Sequence, residues 1–298
     1  MTVLEAIQKS TDFLGKKNVE SPRLQTELLL AHVLKMPRMK MYLNFDRALT
    51  TAETDALREL VKRRGQREPL QHIVGSTSFC GFEMAVSRHA LVPRPETEML
   101  AELGWQWLGK HSTPNTQHST SNCQNAVPSA LDFGTGTGCI AIAMAAKCPN
   151  AKITALDISA EALALARENA ARNNVVGRIE FLHGDGFAAL ASGARFDLIV
   201  SNPPYIASAE IATLDPEVRD FDPRAALDGG TDGLDFYRRL ATEAKNFLKP
   251  DGKIMLEFGD GQADAIKTIF EMEKWIVEAV QEDYSQRARI IIARTNEI

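Results

Sequence analysis

Apolar residues recur at helical spacing along the first 68 residues. Two series stand out, Leu4, Ile7, Phe13 and Leu14, followed by Leu24, Leu28, Leu29, Val33 and Leu34. Residues three and four apart share one face of an α-helix, so each series predicts an amphipathic helix. Ser21 has the side chain of an N-cap residue, and Pro22 suits a first helical turn. With a third helix predicted from Thr51 to Arg64, residues 1–68 form a predicted helical domain.

Residues 69–92 have a different pattern, in which apolar residues surround two glycines. The apolar positions are Ile73, Val74, Phe79, Phe82, Met84 and Val86, and the glycines are Gly75 and Gly81. This pattern predicts a β-hairpin that links two domains. Pro93-Arg94-Pro95-Glu96-Thr97-Glu98 then introduces a predicted helix through Trp107. The polar stretch 111–128 lacks an apolar period, which predicts a mobile surface loop without a catalytic part.

From Ser129 onwards, short apolar runs alternate with helical patterns. Strands are predicted at 130–133, 153–157, 179–182, 196–200 and 253–258, and helices at 139–146, 160–172, 234–248 and 262–272. Regular alternation with short buried strands indicates an α/β fold whose parallel sheet is covered by helices on both faces. The segments 275–280 and 289–293 predict a closing strand pair that includes one antiparallel strand. Residues 93–298 are thus predicted to form the second domain.

A glycine-rich loop follows the first strand of this series. The segment Leu131-Asp132-Phe133-Gly134-Thr135-Gly136-Thr137-Gly138 leads into a helix of small residues. Glycines let a cofactor approach the backbone closely, which makes Gly134, Thr135, Gly136, Thr137 and Gly138 candidate cofactor-binding residues. Nucleotide, flavin and methyl-donor folds all place glycines here, and some such turns bind nothing. The loop alone therefore leaves the ligand open.

Acidic residues end the next two strands. Asp157 could accept hydrogen bonds from both ribose hydroxyls of a nucleoside, or it could cap the following helix, although Ser159 could cap instead. Asp185 could accept from an adenine amino group while Phe187 contacts the ring face, or the two could form a turn followed by a core phenylalanine. Because the carboxyl ends of parallel strands meet at one edge of a sheet, this edge is the candidate site.

The tetrapeptide Asn202-Pro203-Pro204-Tyr205 follows the next strand. Asn202 offers a side-chain carbonyl acceptor, and the prolines offer backbone carbonyls without competing N–H donors. Tyr205 adds an aromatic face that could cover a planar group. Two acceptors and a ring can hold a flat, neutral amino group, such as an amide or an exocyclic base amine. The alternative is that the two prolines only terminate the strand.

Composition excludes several classes of protein. The 298 residues are 44% hydrophobic and 24% charged, which is typical of a globular protein. No run of about 18 apolar residues and no signal-peptide core occur, so we expect a cytoplasmic protein without a membrane. The four cysteines lack C-x-x-C spacing and the six histidines are scattered. We therefore expect neither a metal site nor a disulfide framework.

Charge is distributed unevenly along the chain. Residues 1–70 hold 13 Lys and Arg against 9 Asp and Glu, whereas the remainder holds 21 against 30. A duplex-binding enzyme usually has a strong basic surface, so the acidic remainder argues against nucleic acid as the substrate.

The glycine loop, Asp157, Gly184-Asp185 and the tetrapeptide together resemble class I S-adenosylmethionine-dependent methyltransferases, in particular the branch that methylates planar amino groups. Four further segments resemble the PrmC/HemK family of peptide chain release factor glutamine methyltransferases: Pro22 to Leu34, Arg67 to Gly75, Leu91 to Glu98 and Ala226 to Arg238. The match covers almost the whole chain. The insert at 111–126 is longer than is usual in the family, and Asp222 replaces the more usual Glu.

The resemblance implies a Rossmann-like catalytic domain with a seven-stranded sheet, a hairpin linker and a helical domain that docks a release factor. It implies that S-adenosylmethionine methylates the glutamine of the Gly-Gly-Gln motif in class 1 release factors. Asn202, Pro203 and Tyr205 would be catalytic, the whole tetrapeptide would bind substrate, and Asn202 would also contact the cofactor. The main alternative is an adenine-amine methyltransferase of DNA or ribosomal RNA. An NAD-dependent dehydrogenase would leave the tetrapeptide unexplained.

Overall fold

A computed structural model of the protein describes residues 1–111 and 127–296. The predicted loop at 111–128 lies almost entirely outside the described residues. The chain divides into two compact units. The helical unit comprises Met1–Ser76 together with Leu214–Phe221, and the sheet unit comprises Thr77–Thr213 together with Asp222–Ile298.

The helices are α1 (Val3–Lys16), α2 (Pro22–Leu34), α3 (Arg38–Met41), α4 (Thr51–Gly65), α5 (Leu70–Val74), α6 (Thr97–His111), α7 (Cys139–Lys147), α8 (Ala160–Arg172), α9 (Pro216–Arg219), α10 (Asp235–Glu243) and α11 (Ala263–Met272). The strands are β1 (Ser76–Phe79), β2 (Phe82–Ala85), β3 (Ser129–Phe133), β4 (Lys152–Asp157), β5 (Ile179–His183), β6 (Phe196–Ser201), β7 (Leu248–Glu257), β8 (Trp275–Glu282) and β9 (Ala288–Thr295).

Capping and apolar contacts define the first helices. Thr2 and Thr50 each form a capping box with the glutamate three residues later, which satisfies two backbone N–H groups at the start of α1 and α4. The apolar faces of α1, α2 and α4 meet in one cluster. The predicted cap at Ser21 is wrong. Its backbone is left-handed, with φ 45°, and its side chain accepts no backbone N–H of α2.

The segment Leu214–Phe221, which carries α9, is held in the helical unit by ion pairs. Arg64 is 3% exposed, and its Nη2 donates to Glu217 Oε1 at 2.6 Å. Arg67 Nε donates to the same oxygen at 2.6 Å. A buried guanidinium requires such partners, because an uncompensated buried charge is strongly unfavourable.

Seven strands within the described residues form one sheet in the order β5-β4-β3-β6-β7-β9-β8. Strands β3 to β7 run parallel to one another, and β9 is antiparallel to both β7 and β8. Successive strand residues point to opposite faces: Leu198 and Val200 join the cluster that includes α6, α7 and α8, whereas Ile199 joins the cluster of α10 and α11. The predicted α/β fold, with both sheet faces covered and an antiparallel closing strand, is confirmed.

The differences from prediction lie at element boundaries. Ile73 and Val74 belong to α5, and the hairpin is limited to β1 and β2, with positive φ at both turn residues, Cys80 and Gly81. That pattern is typical of a type I′ turn. Strand β7 begins at Leu248, before the predicted start, because Leu248 pairs with Phe196 across a register shift. The described part of the chain contains no helix with the length and hydropathy needed to span a membrane.

Candidate active site

A cavity of about 330 Å³ opens at the carboxyl edge of the parallel strands. Its wall contains these residues predicted from sequence: Gly134, Thr135, Gly136, Thr137, Asp157, Asp185, Asn202, Pro203 and Pro204. The structure thus brings together the ends of β3, β4, β5 and β6, as expected for a ligand site in an open α/β sheet. Gly138, Phe187 and Tyr205 are predicted site residues that do not line this cavity.

Hydrogen bonds to neighbouring elements hold the glycine loop. The backbone N–H groups of Gly134 and Thr135 both donate to the Leu156 carbonyl oxygen at 2.9 Å. Gly136 has a φ of +55°, a left-handed conformation that favours glycine. Its N–H donates to Asp157 Oδ2 at 2.8 Å, which fixes the loop against the end of β4. The loop is therefore a preformed part of the wall.

A buried carboxylate supports this loop from behind. Asp132 Oδ2 accepts from Thr135 Oγ1 at 2.6 Å and from the Ala141 N–H at 3.1 Å. Burial raises the pKa of Asp132 to about 7, although both hydrogen bonds oppose that change. Asp132 ties the loop to the start of α7 and does not line the cavity.

The carboxylate of Asp157 is available to a ligand, because Ser159 and not Asp157 caps helix α8. Ser159 Oγ accepts from the Ala162 N–H at 3.1 Å, so Ser159 caps α8. Asp157 Oδ1 accepts the Ser159 N–H at 2.9 Å. Each carboxylate oxygen has two acceptor sites, so one on each oxygen remains for a ligand. Ile158, also on the wall, is 63% exposed and offers apolar surface beside Asp157. Sequence reasoning missed Ile158, although an isoleucine beyond a strand end, without a core position, was an available signal.

The predicted site residues that follow β5 lie in different places. Phe187 is 3% exposed and stacks on Phe247, with ring centroids 4.7 Å apart and an interplanar angle of 15°. It also contacts the Phe133 ring. Phe187 thus occupies the core position, one of its two predicted alternatives, directly after Gly186 (φ +58°). Asp185 does line the cavity, and its Oδ1 accepts from Nη1 of Arg239, another wall residue, at 2.6 Å.

The start of the tetrapeptide is fixed to two other elements. Ser201 Oγ donates to the Phe133 carbonyl oxygen at 2.6 Å, which ties the end of β6 to the glycine loop. Asn202 Nδ2 donates to Thr97 Oγ1, at the start of α6, at 3.1 Å. Pro203 is buried. The amide nitrogen of Asn202 is thus directed towards α6.

The second half of the tetrapeptide is held through its backbone. The Tyr205 carbonyl oxygen accepts from Gln262 Nε2 at 2.9 Å, and the Ile206 N–H donates to the Leu227 carbonyl oxygen at 3.0 Å. A Cβ atom on Gly229 would lie 2.8 Å from the Pro204 carbonyl oxygen, so glycine permits this close approach. The Tyr205 ring packs towards Gly259 instead of lining the cavity. A contact between this ring and a substrate stays a prediction.

An ion pair holds the segment in front of α6. Arg94 Nη2 donates to Asp222 Oδ2 at 2.6 Å, and the Asp222 side chain is almost fully buried. Arg94 and Thr97 both line the cavity. Neither residue has a role predicted from sequence, since the partner of each lies more than 100 residues away along the chain. Nowhere in the described ranges do three or more His, Cys, Asp or Glu side chains form a possible metal site.

Two known protein families and several named proteins are similar to this chain. Residues 5–75 match the family described as PrmC N-terminal domain, and residues 118–215 match the family described as Methyltransferase small domain. The chain is 41% identical over 269 residues to "Release factor glutamine methyltransferase" of Geobacter sulfurreducens, covering 90% of this chain and 88% of that protein. It is 41% identical over 276 residues to the protein of the same name from Rhodospirillum rubrum, covering 93% and 80%.

Two further proteins are similar to this chain at lower identity. "Bifunctional methyltransferase" of Rickettsia conorii is 36% identical over 301 residues, which cover 98% of this chain and 57% of that protein. A crystal structure of a methyltransferase from Pyrococcus furiosus is similar with a TM-score of 0.50 and 21% identity, covering 78% of this chain and 98% of that chain. This structural similarity concerns the fold alone. The relatives from Geobacter and Rhodospirillum show the family: this chain belongs to the release factor glutamine methyltransferases.

Proposed function

We propose that the protein transfers a methyl group from S-adenosylmethionine to the side-chain amide nitrogen of the glutamine in the Gly-Gly-Gln motif of class 1 peptide chain release factors. The observation that carries this proposal is the continuity of one cavity from Asp157 and the glycine loop to Asn202 and Pro203. One wall thus offers groups that fit a nucleoside-containing donor and groups that fit a planar amide.

The residues at the β4 end fit S-adenosylmethionine. Asp157 retains acceptor sites for ribose hydroxyls, and Ile158 presents an apolar side chain beside it for an adenine face. Gly136 exposes backbone without a side chain at the same place. When bound, this cofactor supplies an electrophilic methyl group on a sulfonium. We assign Gly134, Thr135, Gly136, Thr137, Asp157, Asp185 and Asn202 to its site, and Gly138 to the support of the loop.

The tetrapeptide fits the acceptor amide. Asn202 donates with its nitrogen to Thr97, which leaves Oδ1 as the acceptor for a substrate N–H. The Pro203 backbone carbonyl is the proposed second acceptor. An amide nitrogen is a poor nucleophile because its lone pair is delocalised, so alignment must lower the barrier. In the best intramolecular cases, alignment and reduced solvent reorganisation lower a barrier by about 7–11 kcal/mol. Both oxygens also stabilise the positive charge that develops on nitrogen.

The test uses the full chain with S-adenosylmethionine labelled in its methyl group. A class 1 release factor, the same factor with its motif glutamine changed to glutamate, DNA and ribosomal RNA are offered separately. We expect label only in the unmodified factor, because glutamate lacks the acceptor nitrogen. Label in nucleic acid but not in the release factor would instead support the adenine-amine alternative. The proposed substrate acts in translation, so we place the reaction in the cytoplasm.

Asn202→Ala tests the acceptor site directly. We expect loss of turnover with a much smaller change in donor affinity, measured by calorimetry. Asn173→Ala is the matched control, since Asn173 lies at the end of α8 and donates only to backbone carbonyls of Glu83 and Asn169. Wild-type turnover in Asn202→Ala would contradict the assignment.

A further inference from the structure

An acidic side chain lies buried directly behind the tetrapeptide. Glu257 ends β7, is 3% exposed, and its Oε2 has no hydrogen-bond partner among the described residues. Burying a carboxylate without full compensation is costly, and such groups are found where function requires them. Glu257 has no role in the proposed methyl transfer itself. Its surroundings therefore decide what it does.

Two polar residues connect Glu257 to the cavity. Thr97 is 3% exposed and contributes to the wall. Ser201 pairs with Leu256 in the sheet, so the next residues, Asn202 and Glu257, occupy neighbouring positions, and Thr97 and Asn202 both lower the pKa of the Glu257 carboxyl group. Asn202 Nδ2 also donates to Thr97 Oγ1 at 3.1 Å. The three side chains come from β7, α6 and the end of β6, and they form one cluster.

The number of hydrogens on each side chain determines which group donates and which accepts. A hydroxyl has one hydrogen and can also accept, so Thr97, which accepts from Asn202, has its own hydrogen available for the Glu257 carboxylate. An amide nitrogen carries two hydrogens, of which Asn202 directs one to Thr97 and has the other available for Glu257. An ionised carboxylate can only accept, which prevents the reverse orientation. With its nitrogen directed to Thr97, Asn202 has its oxygen left for the cavity that this residue lines.

We propose that Glu257 and Thr97 are positioning residues that hold the Asn202 side-chain amide with its oxygen towards the substrate amide. This inference rests on the proposed function, since it assigns the orientation of the acceptor in that same site. Neither residue touches the reacting atoms. Their contribution is to exclude the flipped rotamer, in which an N–H donor would face the substrate N–H and repel it.

The ionisation state of Glu257 controls this orientation. Burial raises the pKa of Glu257 to about 7, Glu96 raises it further, and Thr97, Arg289 and Asn202 oppose the change. Tyr205 and Tyr237 also face this carboxylate. Once protonated, Glu257 carries an O–H that must find an acceptor, and Thr97 Oγ1 is available to it. Protonated Glu257 then competes with Asn202 for Thr97 Oγ1 and is itself a weaker acceptor, so the hold on the Asn202 amide weakens as pH falls below about 7.

The raised pKa also gives a signature in stability. The unfolded carboxyl group ionises at its ordinary pKa, whereas the folded one resists ionisation, so the wild type loses stability as pH rises from the ordinary value through about 7. Glu257→Gln removes this cost. We expect the variant to match the wild type in thermal midpoint near pH 5 and to exceed it at pH 8, while being less active.

The experiment compares Glu257→Gln, Thr97→Val and Thr97→Ser in the full chain, with Glu273→Gln as a surface control for charge. We expect kcat to fall about tenfold or more in Thr97→Val, to recover within threefold in Thr97→Ser, and donor Kd to stay within twofold throughout. Wild-type kcat should rise with pH to a plateau, with a midpoint near 7 that Glu257→Gln lacks. The proposal would be overturned if Glu257→Gln and Thr97→Val both kept the kcat and the pH profile of the wild type.

A measurement that needs no turnover separates this inference from the proposed function. The side-chain NH₂ resonances of Asn202, assigned by their loss in Asn202→Asp, should titrate near pH 7 in the wild type and not in Glu257→Gln. Titration without methylation of the release factor would uphold the positioning and contradict the function. Methylation by a wild type whose Asn202 resonances do not titrate would overturn the positioning alone.

Discussion

Gly229 offers a sharp test of how closely the tetrapeptide must be placed. A Cβ atom there would lie 2.8 Å from the Pro204 carbonyl oxygen, and 2.9 Å from both the Cα and the carbonyl oxygen of Gly233. All three neighbours are backbone atoms, so no side chain can rotate away. Carbon and oxygen in close contact stay about 3.3 Å apart or farther, so Gly229→Ala must displace the Pro204 carbonyl by roughly 0.5 Å.

The expected cost follows from that displacement. A misplacement of about 1 Å can lower a rate 100-fold, so half of it corresponds to about tenfold in kcat. Overpacking costs about 1–3 kcal/mol in unfolding free energy. Gly177→Ala is the matched control, because a Cβ atom there meets nothing within 4 Å and no positive φ is involved. Replacing glycine at such a site stabilises by about 0.4–1 kcal/mol.

The assay combines urea unfolding with steady-state methylation of a release factor and calorimetry of the donor. Gly229→Ala should lose stability and kcat while donor affinity stays within twofold, since the glycine loop is untouched. Gly177→Ala should retain activity and gain slightly in stability. If Gly229→Ala had wild-type kcat and the stability of Gly177→Ala, the tetrapeptide would tolerate displacement and the reasoning would be refuted.

Two further predictions concern the donor site and the helical unit. Asp157→Ala should raise the Kd for S-adenosylmethionine about 10- to 100-fold, since bonds to a charged group contribute about 1.5–3 kcal/mol. Ser159→Ala should instead cost about 1 kcal/mol of stability with nearly unchanged Kd; equal Kd values for Asp157→Ala and wild type would exclude the ribose role. Glu217→Ala should destabilise by about 3 kcal/mol in urea unfolding, because Arg64 is left buried without its carboxylate. Burial raises the pKa of Glu217, but hydrogen bonds from Arg67 and Arg64 outweigh it and hold the pKa below its ordinary value. The stability difference between wild type and Glu217→Ala is therefore complete above the ordinary glutamate pKa of about 4.3 and disappears as pH falls through the lower folded value; a pH-independent difference would contradict this.

Local pattern was sufficient to predict the sheet and its edge. Apolar runs of strand length alternate with amphipathic helical patterns. This alternation predicts buried parallel strands, because each strand of such a sheet packs against helices on both faces. Asp157 and Asn202 follow such strands, and parallel strands bring their carboxyl ends to one edge. The positions of these two residues on the cavity wall were therefore readable from the sequence alone.

The sequence did not predict which way the side chains point in the segment that follows a strand. Phe187 and Asp185 are two residues apart, yet one lies in the core and the other lines the cavity. Between them lies Gly186, where φ is +58° and a Cβ atom would lie 2.5 Å from Arg239 Nη2. Sequence proximity to a motif therefore did not establish a role in the site.

The sequence by itself determined the α/β fold, the converging strand ends and the residue types that can hold a nucleoside and an amide. Only the tertiary structure decided which groups face one another. Thr97 meets Asn202 across 105 residues, and Arg64 meets Glu217 across 153. Local propensity acts over a few residues, whereas these pairs depend on the packing of whole elements. For that reason the orientation of the Asn202 amide, and with it the chemistry of the site, is a property of the folded chain.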